Sequence, residues 1–582
     1  MAVSSYPPDA DGERKQITVL FCDVVGYTAR SAALDAEELL GEMRGFYRIC
    51  ARIAAAHHGR VAQFLGDGVL ILFGHPRASE CDPHRAVSAG LAIVDKIRRV
   101  KIRRGCAPLA VRIGIATGEV VLAGARDGRY GEMIFGRAPN LASRLQQLAR
   151  PNTVVVSRRT RRLVGGVFAL CGLGARRARG FAHSVRAWRV MHEHAVALRP
   201  AKCATRFVGR ERELRRLREQ HRETLRGRAR IVHVRGAAGI GKSRLALAFE
   251  STVRTPCVRL RILCASEFRA RAFKPILYDV PPGRARAAIR RGLHKFAPGG
   301  MRERALLGEL LGAPPRRRAW RPLDALANLV IKLSRRRPVL LLVEDLHRAD
   351  AATLRALGAL VARARGGRLF AVFTSREDFT APWPRAATRE LRLGRLNAGE
   401  SAQLVSAVFG AHAPRPPTRD ALLRAGGGVP LLLEEMSRQE LREMRRPQSR
   451  DSPQLVREPS PEYERAASPL VIPDTLRNFL NARLDQLGEW KPFAQLAAAL
   501  EENFRYSLLR RIAARNGMDA AAGLAALAAA GLLMQLPENC GDLYAFCPAV
   551  FRDAACAALL EKTRRKYRQQ ISELTRTNGA RR

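Results

Sequence analysis

Four places in this sequence carry residue types that could do chemistry. Asp23 follows the apolar run ITVLFC, and Asp67 sits in the turn of VAQFL-GDG-VLILFG. Either aspartate alone would read as a turn or helix-cap residue. Together, a strand end beside a hairpin tip can hold two carboxylates against hard divalent ions, which take oxygen ligands and bridge substrate phosphates. The second place is GAAGIGKS: Gly236, Ala237, Ala238, Gly239, Ile240, Gly241, Lys242 and Ser243. It follows the apolar run RIVHVRG and opens the helical run KSRLALAFE, so its N–H groups would cradle phosphates at a helix N-terminus. In such a P-loop Lys242 would reach the β- and γ-phosphates and Ser243 would ligate Mg²⁺, making Mg²⁺-ATP the expected ligand. The third is PVLLLVEDLHRAD, which ends an apolar strand on Glu344 and Asp345. One would hold Mg²⁺ through water and the other would polarise an attacking water; the Glu-then-Asp order leaves the assignment open. A further strand, LFAVFTSRE, ends in Thr374 and Arg376 as candidate γ-phosphate sensors, with an ordinary surface arginine the equal alternative for Arg376.

The elements that must position these residues alternate along the chain. Residues 1–13 read as a disordered N-terminus. From 14 to 192 strands and helices interleave: ITVLFC, a helix over Glu37 to His57, the GDG hairpin, a helix over Ala86 to Val100, paired strands around LAVRIGIATGEVVLAG, a helix opening near Pro139, then TVVVS and VRAWRV. That interleaving predicts an α/β domain. A linker follows over 193–205, then a second α/β domain with a parallel sheet over 206–400. A helical lid is expected over 401–437, a polar, Pro-bearing linker over 438–469, and an all-helical or winged-helix region over 470–582. The Ala-rich run Ala520 to Met534 reads as one helix. No internal repeat is visible, so the first domain occurs once.

A family resemblance adds roles to these residues. ERKQITVLFCDVVGYTA, VAQFLGDGVLILFGHP, RIGIATGEVVLAG and GRAPNLASRLQQLARPNTVVVS resemble, in order and spacing, the class III adenylate/guanylate cyclase domain, a ferredoxin-like α/β fold, over about residues 14–192. The resemblance implies that Asp23 and Asp67 hold two Mg²⁺ or Mn²⁺ ions, one activating the ribose 3′-hydroxyl and one neutralising the triphosphate. Attack on the α-phosphorus would then expel pyrophosphate. Asn140 and Arg144 match the family's transition-state pair, and their i,i+4 spacing puts both on one helix face. Arg179 falls where the family often has a phosphate-binding lysine. Family sites form between two cyclase domains, so a single copy implies a homodimer. The base-reading positions depart from the pattern: Gln63 stands where adenylate cyclases carry lysine and guanylate cyclases glutamate. Met133 stands at the partner position and offers no good acceptor for an adenine amino group. ATP is favoured as substrate, with GTP the alternative.

FVGRERELRRL and GGGVPLLLEEM resemble the signal-transduction branch of AAA-like ATPases, and the combined order is similar to a bacterial family laid out like soluble adenylyl cyclase. Related chains usually continue into a helical-repeat sensor region. This sequence stops soon after RRKYRQQISELTRT, so the expectation is that the input domain is missing or cut short and the upstream signal stays unassigned.

Composition limits the alternatives. The net charge of +49 is mostly arginine, spread over every region with short runs at Arg316 to Arg318 and Arg335 to Arg337 and no interleaved aromatics. Charge of that kind supports only sequence-independent attraction, so nucleic acid is disfavoured as a partner. Eleven cysteines without a CxxC pair suggest reduced thiols, and Cys22 reads as core. No apolar run reaches the roughly 18 residues of a membrane span and none at the N-terminus resembles a signal peptide, which predicts a cytoplasmic protein. The leading expectation is a purine nucleotide cyclase, most simply ATP to cAMP, regulated by the ATPase module. The alternative is an ATP-binding signalling scaffold with an inactive cyclase domain. A third reading, an ATPase-type transcription regulator, lacks a DNA-reading helix that could be defended.

Overall fold

Alternation along the first strand sets the layout of the N-terminal part. In β1 (Glu13–Val24), Ile17 and Val19 point to one side and Leu20, Cys22 and Val24 to the other, and all five are buried. A strand buried on both faces must lie inside a sheet with helices above and below. The computed structural model describes residues 13–100, 108–123, 133–165, 167–177, 184–193, 205–264, 322–349, 351–364, 366–444, 472–536 and 542–579. It divides into two units, Met1–Ala204 with Ala411–Gly427 and Glu435–Arg582, and Thr205–Gly410 with Gly428–Glu434.

In the first unit, β1 is followed by α1 (Tyr27–Ala33), α2 (Ala36–Ala56), β2 (Arg60–Leu65), β3 (Gly68–Phe73), α3 (Asp82–Arg98), β4 (Val111–Ala123), β5 (Met133–Gly136), α4 (Arg137–Leu148), β6 (Thr153–Ser157), α5 (Arg158–Val164), β7 (Phe168–Arg176) and β8 (Val185–Glu193). The sheet runs β2-β3-β1-β4-β6-β8-β7 with β5 on β4. The β1–α2–β2–β3–α3–β4 portion, ordered β2-β3-β1-β4 and antiparallel throughout, is a split βαβ arrangement. Phe46 of α2 and Ile93 of α3 pack on the face bearing Leu20 and Cys22, while Ala142 and Leu145 of α4 pack on the face bearing Ile17 and Val19. Cys22 is core, as expected.

Several sequence boundaries move. The second helix begins at Asp82 rather than Ala86, because Pro83 suits a first helical turn. β7 and α5, which the apolar pattern does not announce, lie between TVVVS and VRAWRV. β8 extends to Glu193, one residue into the expected linker.

Asp82 itself is buried, and burial pushes its carboxyl up to about 7 against the partial relief of the Ser79 N–H and Arg85. A raised folded pKa means the native state binds a proton that the unfolded chain gives up near pH 4. Stability is therefore lost as pH rises from about 4 to about 7. Asp82→Asn keeps the acceptor oxygen for Ser79 and removes the charge. Its melting temperature is expected to exceed wild type at pH 8, with the gap closing toward pH 4; a gap that does not change with pH would contradict the assignment.

The second unit holds α6 (Glu211–Leu225), β9 (Arg230–Gly236), α7 (Lys242–Thr252), β10 (Val258–Leu263), α8 (Pro322–Arg336), β11 (Val339–Glu344), α9 (Ala351–Arg363), β12 (Leu369–Ser375), β13 (Arg389–Leu393) and α10 (Ala398–Phe409). Its sheet, β10-β11-β12-β9-β13, is parallel at every pairing. β11 and β12 are buried at every residue, as expected of central strands covered by helices on both faces.

Next come α11 (Pro416–Gly426) and α12 (Pro430–Met444). α12 carries helix past residue 437 into the expected linker, where Gln439 and Glu443 bond at i,i+4. The remainder, in the first unit, is α13 (Asp474–Asp485), α14 (Lys491–Ala498), β14 (Asn503–Arg505), α15 (Tyr506–Arg515), α16 (Ala520–Ala529), β15 (Leu533–Gln535), β16 (Leu543–Phe546), α17 (Val550–Ala558) and α18 (Glu561–Gly579). This region is not purely helical: β14, β16 and β15 form a three-stranded sheet. The Ala520 to Met534 run is a helix that stops at Ala529, turns at Gly531 with φ +66°, and ends in β15.

Within the first unit α13 packs on the start of β1. Lys15 Nζ donates to Asp485 Oδ2 at 2.5 Å and to Pro76 O at 2.7 Å, and the lysine and aspartate side chains are 1% and 6% exposed. The Ala78 N–H donates to the same Oδ2, and Lys491 Nζ donates to Oδ1 at 2.5 Å and also to Glu13. Gln16 donates to Asn478 at 2.7 Å, and Arg477 pairs with Glu119 of β4. Among the described residues no helix is long and apolar enough to cross a membrane.

Candidate functional site

Asp23 lies one residue before the end of β1, opposite Gly68 of β3, and Asp67 is the turn residue just before that strand. The Val24 N–H donates to Asp67 O at 3.0 Å, which ties the strand end to the hairpin turn. Asp23 is pushed up to about 6, first by burial and then by the negative charge of the neighbouring Asp67 carboxyl. Gln146 and Arg112 pull the other way. A carboxyl pair crowded until one member resists ionisation is a site whose electrostatics a divalent cation would reverse. Among the described residues no cluster of three or more His, Cys, Asp or Glu is placed to hold a metal. The pair fits a hard cation whose remaining ligands come from phosphate oxygens and water, as Mg²⁺ and Mn²⁺ sites at triphosphates require.

Asn140 and Arg144 lie on α4, exposed and half-buried, and Arg144 donates to Gln147 Oε1 at 3.1 Å. The helix lies hard on β4 because Gly114 and Gly118 leave room: a Cβ on Gly114 would overlap the backbone of Ala142 and Gln146, and one on Gly118 would sit 3.1 Å from Ala138 Cβ. Two residues beyond Arg144, about 200° around the helix, Gln146 turns inward and its Nε2 donates to Asp23 Oδ2 at 2.7 Å. The Asn140/Arg144 face therefore points away from the carboxylates of its own chain. Gln63 is exposed on β2 and the backbone of Met133 begins β5, so β3, β1 and β4 separate them within one protomer. The side chain of Met133, and Arg179 altogether, lie outside the described residues.

In the second unit β9 ends on Gly236, and the loop turns through Gly239 and Gly241 at φ +74° and +97°, conformations that favour glycine. Gly241 caps α7, which begins at Lys242 and Ser243. Lys242 Nζ donates to Gly236 O and Ala237 O, both at 2.8 Å, so the ammonium curls over the loop it would serve. Leu431 of α12 donates its N–H to Gly239 O at 3.2 Å.

At the end of β11 the two acids part. Glu344 is buried and accepts from Arg261 Nε at 2.5 Å. Asp345 adopts φ +58° and donates its N–H to Thr374 Oγ1 at 3.0 Å. His347 is held down to about 4, first by burial and then, against the pull of Asp345, by Arg376, Arg348 and Lys242. Asp345, Arg376 and Lys242 thus share one neighbourhood around a neutral imidazole. Arg261 and His347 were not singled out from sequence. A charged residue inside the apolar strand VRLRIL was the available signal for Arg261; His347 had none beyond adjacency.

The comparisons with known proteins agree with this division. The adenylate and guanylate cyclase catalytic domain matches residues 11–183, and the AAA ATPase domain matches residues 206–372. An uncharacterized protein of Rhizobium meliloti (strain 1021) is 29% identical over 590 residues, 96% of this chain and 56% of its own length. Adenylate cyclase 1 of the same strain is 28% identical over 138 residues, 23% of this chain and 21% of its own. This chain therefore spans little more than half of the first relative and a fifth of the second. The crystal structure of the adenylyl cyclase CyaB from P. aeruginosa is 28% identical, covering 32% of this chain and 97% of that one with a TM-score of 0.29. The chain carries a class III adenylate/guanylate cyclase domain followed by an AAA ATPase domain.

Proposed function

We propose that the protein is a purine nucleotide cyclase, converting ATP to cAMP and pyrophosphate in a homodimer. The observation that carries this reading is the opposition on α4, with Asn140 and Arg144 facing outward while Asp23 and Asp67 lie on the other side of the helix. Two such chains related by a two-fold axis can bring the carboxylates of one to the Asn/Arg face of the other, giving two composite sites. Exposed apolar side chains flank these residues, Phe64 and Leu65 before the Asp67 turn and Phe135 before α4, at 50%, 38% and 54% exposure. They support a partner surface there.

In that site Asp23 and Asp67 hold the substrate's divalent cations, which supply the charge neutralisation and hydroxyl activation that ring closure needs. Asn140 orients the ribose by hydrogen bonds. Arg144 stabilises charge developing at the phosphate. Gln63 offers both a donor and an acceptor to the purine edge, a pattern compatible with either base. Purified protein would be incubated with ATP or GTP plus Mn²⁺ or Mg²⁺, beside Asp23→Ala, and products read by mass spectrometry. cAMP absent from the mutant supports the reading; cGMP alone moves the substrate to GTP; neither product, at concentrations that enforce dimers, overturns it.

The second unit is proposed to bind Mg²⁺-ATP through Gly236–Ser243, with Asp345 nearer the phosphates than Glu344, and to set cyclase output by its nucleotide state. The C-terminal order α14–β14–α15–α16–β15–β16 supports a winged-helix assignment. Lys242→Ala is expected to weaken binding of a fluorescent ATP analogue at this site at least tenfold, while the melting temperature in the absence of nucleotide stays within a few degrees. Unchanged affinity would mean that the P-loop does not hold the nucleotide.

A further inference from the structure

The inward-facing amide on α4 has a role of its own, which rests on the cyclase reading above. Gln146 is 4% exposed, and its immediate neighbour Gln147 is exposed and bonded to Arg144. A buried glutamine is stable only where its polar atoms find partners. Here the amide crosses from α4 over β4 to β1, where its Nε2 reaches Asp23 Oδ2 at 2.7 Å. The backbone behind it is fixed, because Gly114 lets Gln146 N rest against β4 closer than any side chain there would permit. A neutral donor suits this place. It occupies one oxygen of a crowded carboxylate without adding a third charge, and it leaves the remaining lone pairs free for a cation.

We propose that Gln146 is a positioning residue that orients the Asp23 carboxylate for metal binding and thereby ties α4 to metal occupancy. The helix that presents Asn140 and Arg144 to one composite site is held through Gln146 to the carboxylate of the other. Filling one site with metal then acts on the helix serving its neighbour.

The test uses the full chain and Mn²⁺ alone, without nucleotide, following the free Mn²⁺ signal by electron paramagnetic resonance. Gln146→Leu is close in volume and lacks the donor. It is expected to weaken the Asp23-dependent Mn²⁺ binding by about 10–100-fold, the range typical of partners behind a metal ligand. In turnover assays it should raise the Mn²⁺ concentration for half-maximal rate by a similar factor while kcat at saturating Mn²⁺ stays within about twofold, a split that general loosening of the fold would not give. If wild type binds Mn²⁺ no better than Asp23→Ala, both alone and with a non-cyclisable ATP analogue in a Lys242→Ala background, the cyclase reading itself fails. If wild type depends on Asp23 but Gln146→Leu binds equally well, only the Gln146 proposal is overturned. Should the leucine variant not fold by circular dichroism, Gln146→Met is read instead, and failure of both to fold overturns the proposal by making the amide a fold requirement.

Discussion

Mixed in equal amounts, inactive Asp23→Ala and inactive Arg144→Ala chains should together regain about a quarter of wild-type cyclase turnover. Each substitution damages both sites of its own homodimer. On the proposed reading, removing Arg144 takes away the group that would meet charge in the transition state, a loss on the order of 10²–10³ in kcat. Removing Asp23 takes away half of the carboxylate pair proposed to bind the cation. Random re-pairing makes about half of the dimers mixed, and each mixed dimer contains one site with neither lesion and one with both. The expectation comes from α4, on which the Arg144 face and the Gln146–Asp23 contact lie about 200° apart. No regain after verified subunit exchange would mean that both groups serve the same site of one chain, and the composite arrangement would be abandoned.

Asp485→Ala is expected to cost about 3–5 kcal/mol of the stability with which the C-terminal region holds to the cyclase domain. The cost is the charge left behind: Lys15 is buried, and among the described residues the carboxylate it ion-pairs with is Asp485. Burial alone would raise the Asp485 pKa, but Lys15 and Lys491, with the Ala78 N–H, outweigh it and hold the group below its ordinary value. The sign follows: a depressed folded pKa contributes stability that is present above the unfolded value near 4 and lost as pH falls through the folded one. Calorimetry should show the first unit melting earlier, or in two steps, in the variant. Lys15→Met with Asp485→Leu should recover part of the loss, since an apolar pair can replace the buried ion pair while the Ala78 N–H and Lys491 still lose their acceptor. An unchanged thermogram for Asp485→Ala would show that this contact carries no weight.

What could be read from sequence was local. The glycine-rich loop announces itself because strand, turn and helix are adjacent, and Asp67 sits at the tip of the local β2–β3 hairpin, whereas Asp23 reaches it only through the pairing of β3 with the distant β1. Helices such as α2 follow from apolar spacing over many residues, while β14 and β15 are three residues each and show no alternation long enough to detect. The contacts that give the sites their character join distant positions: Gln146 with Asp23, Arg261 with Glu344, Lys15 with Asp485. Each pairs a polar residue in an apolar context with a partner that only tertiary packing selects. The order of Glu344 and Asp345 was ambiguous for the same reason, since nothing near them in sequence says which one Arg261 engages.

The buried lysine of β1 also bears on how the chain is made. Lys15 and Asp485 are 470 positions apart. At typical synthesis rates, the ribosome needs about 25–95 s to travel from one to the other. Throughout that interval the nascent cyclase domain carries an ammonium group placed for a carboxylate that does not yet exist. Its first strand must stay partly solvated at that end until the segment bearing Asp485 emerges. The cyclase domain is thus finished by the segment around Asp485, and a ribosome stalled before it would leave a buried lysine without that carboxylate.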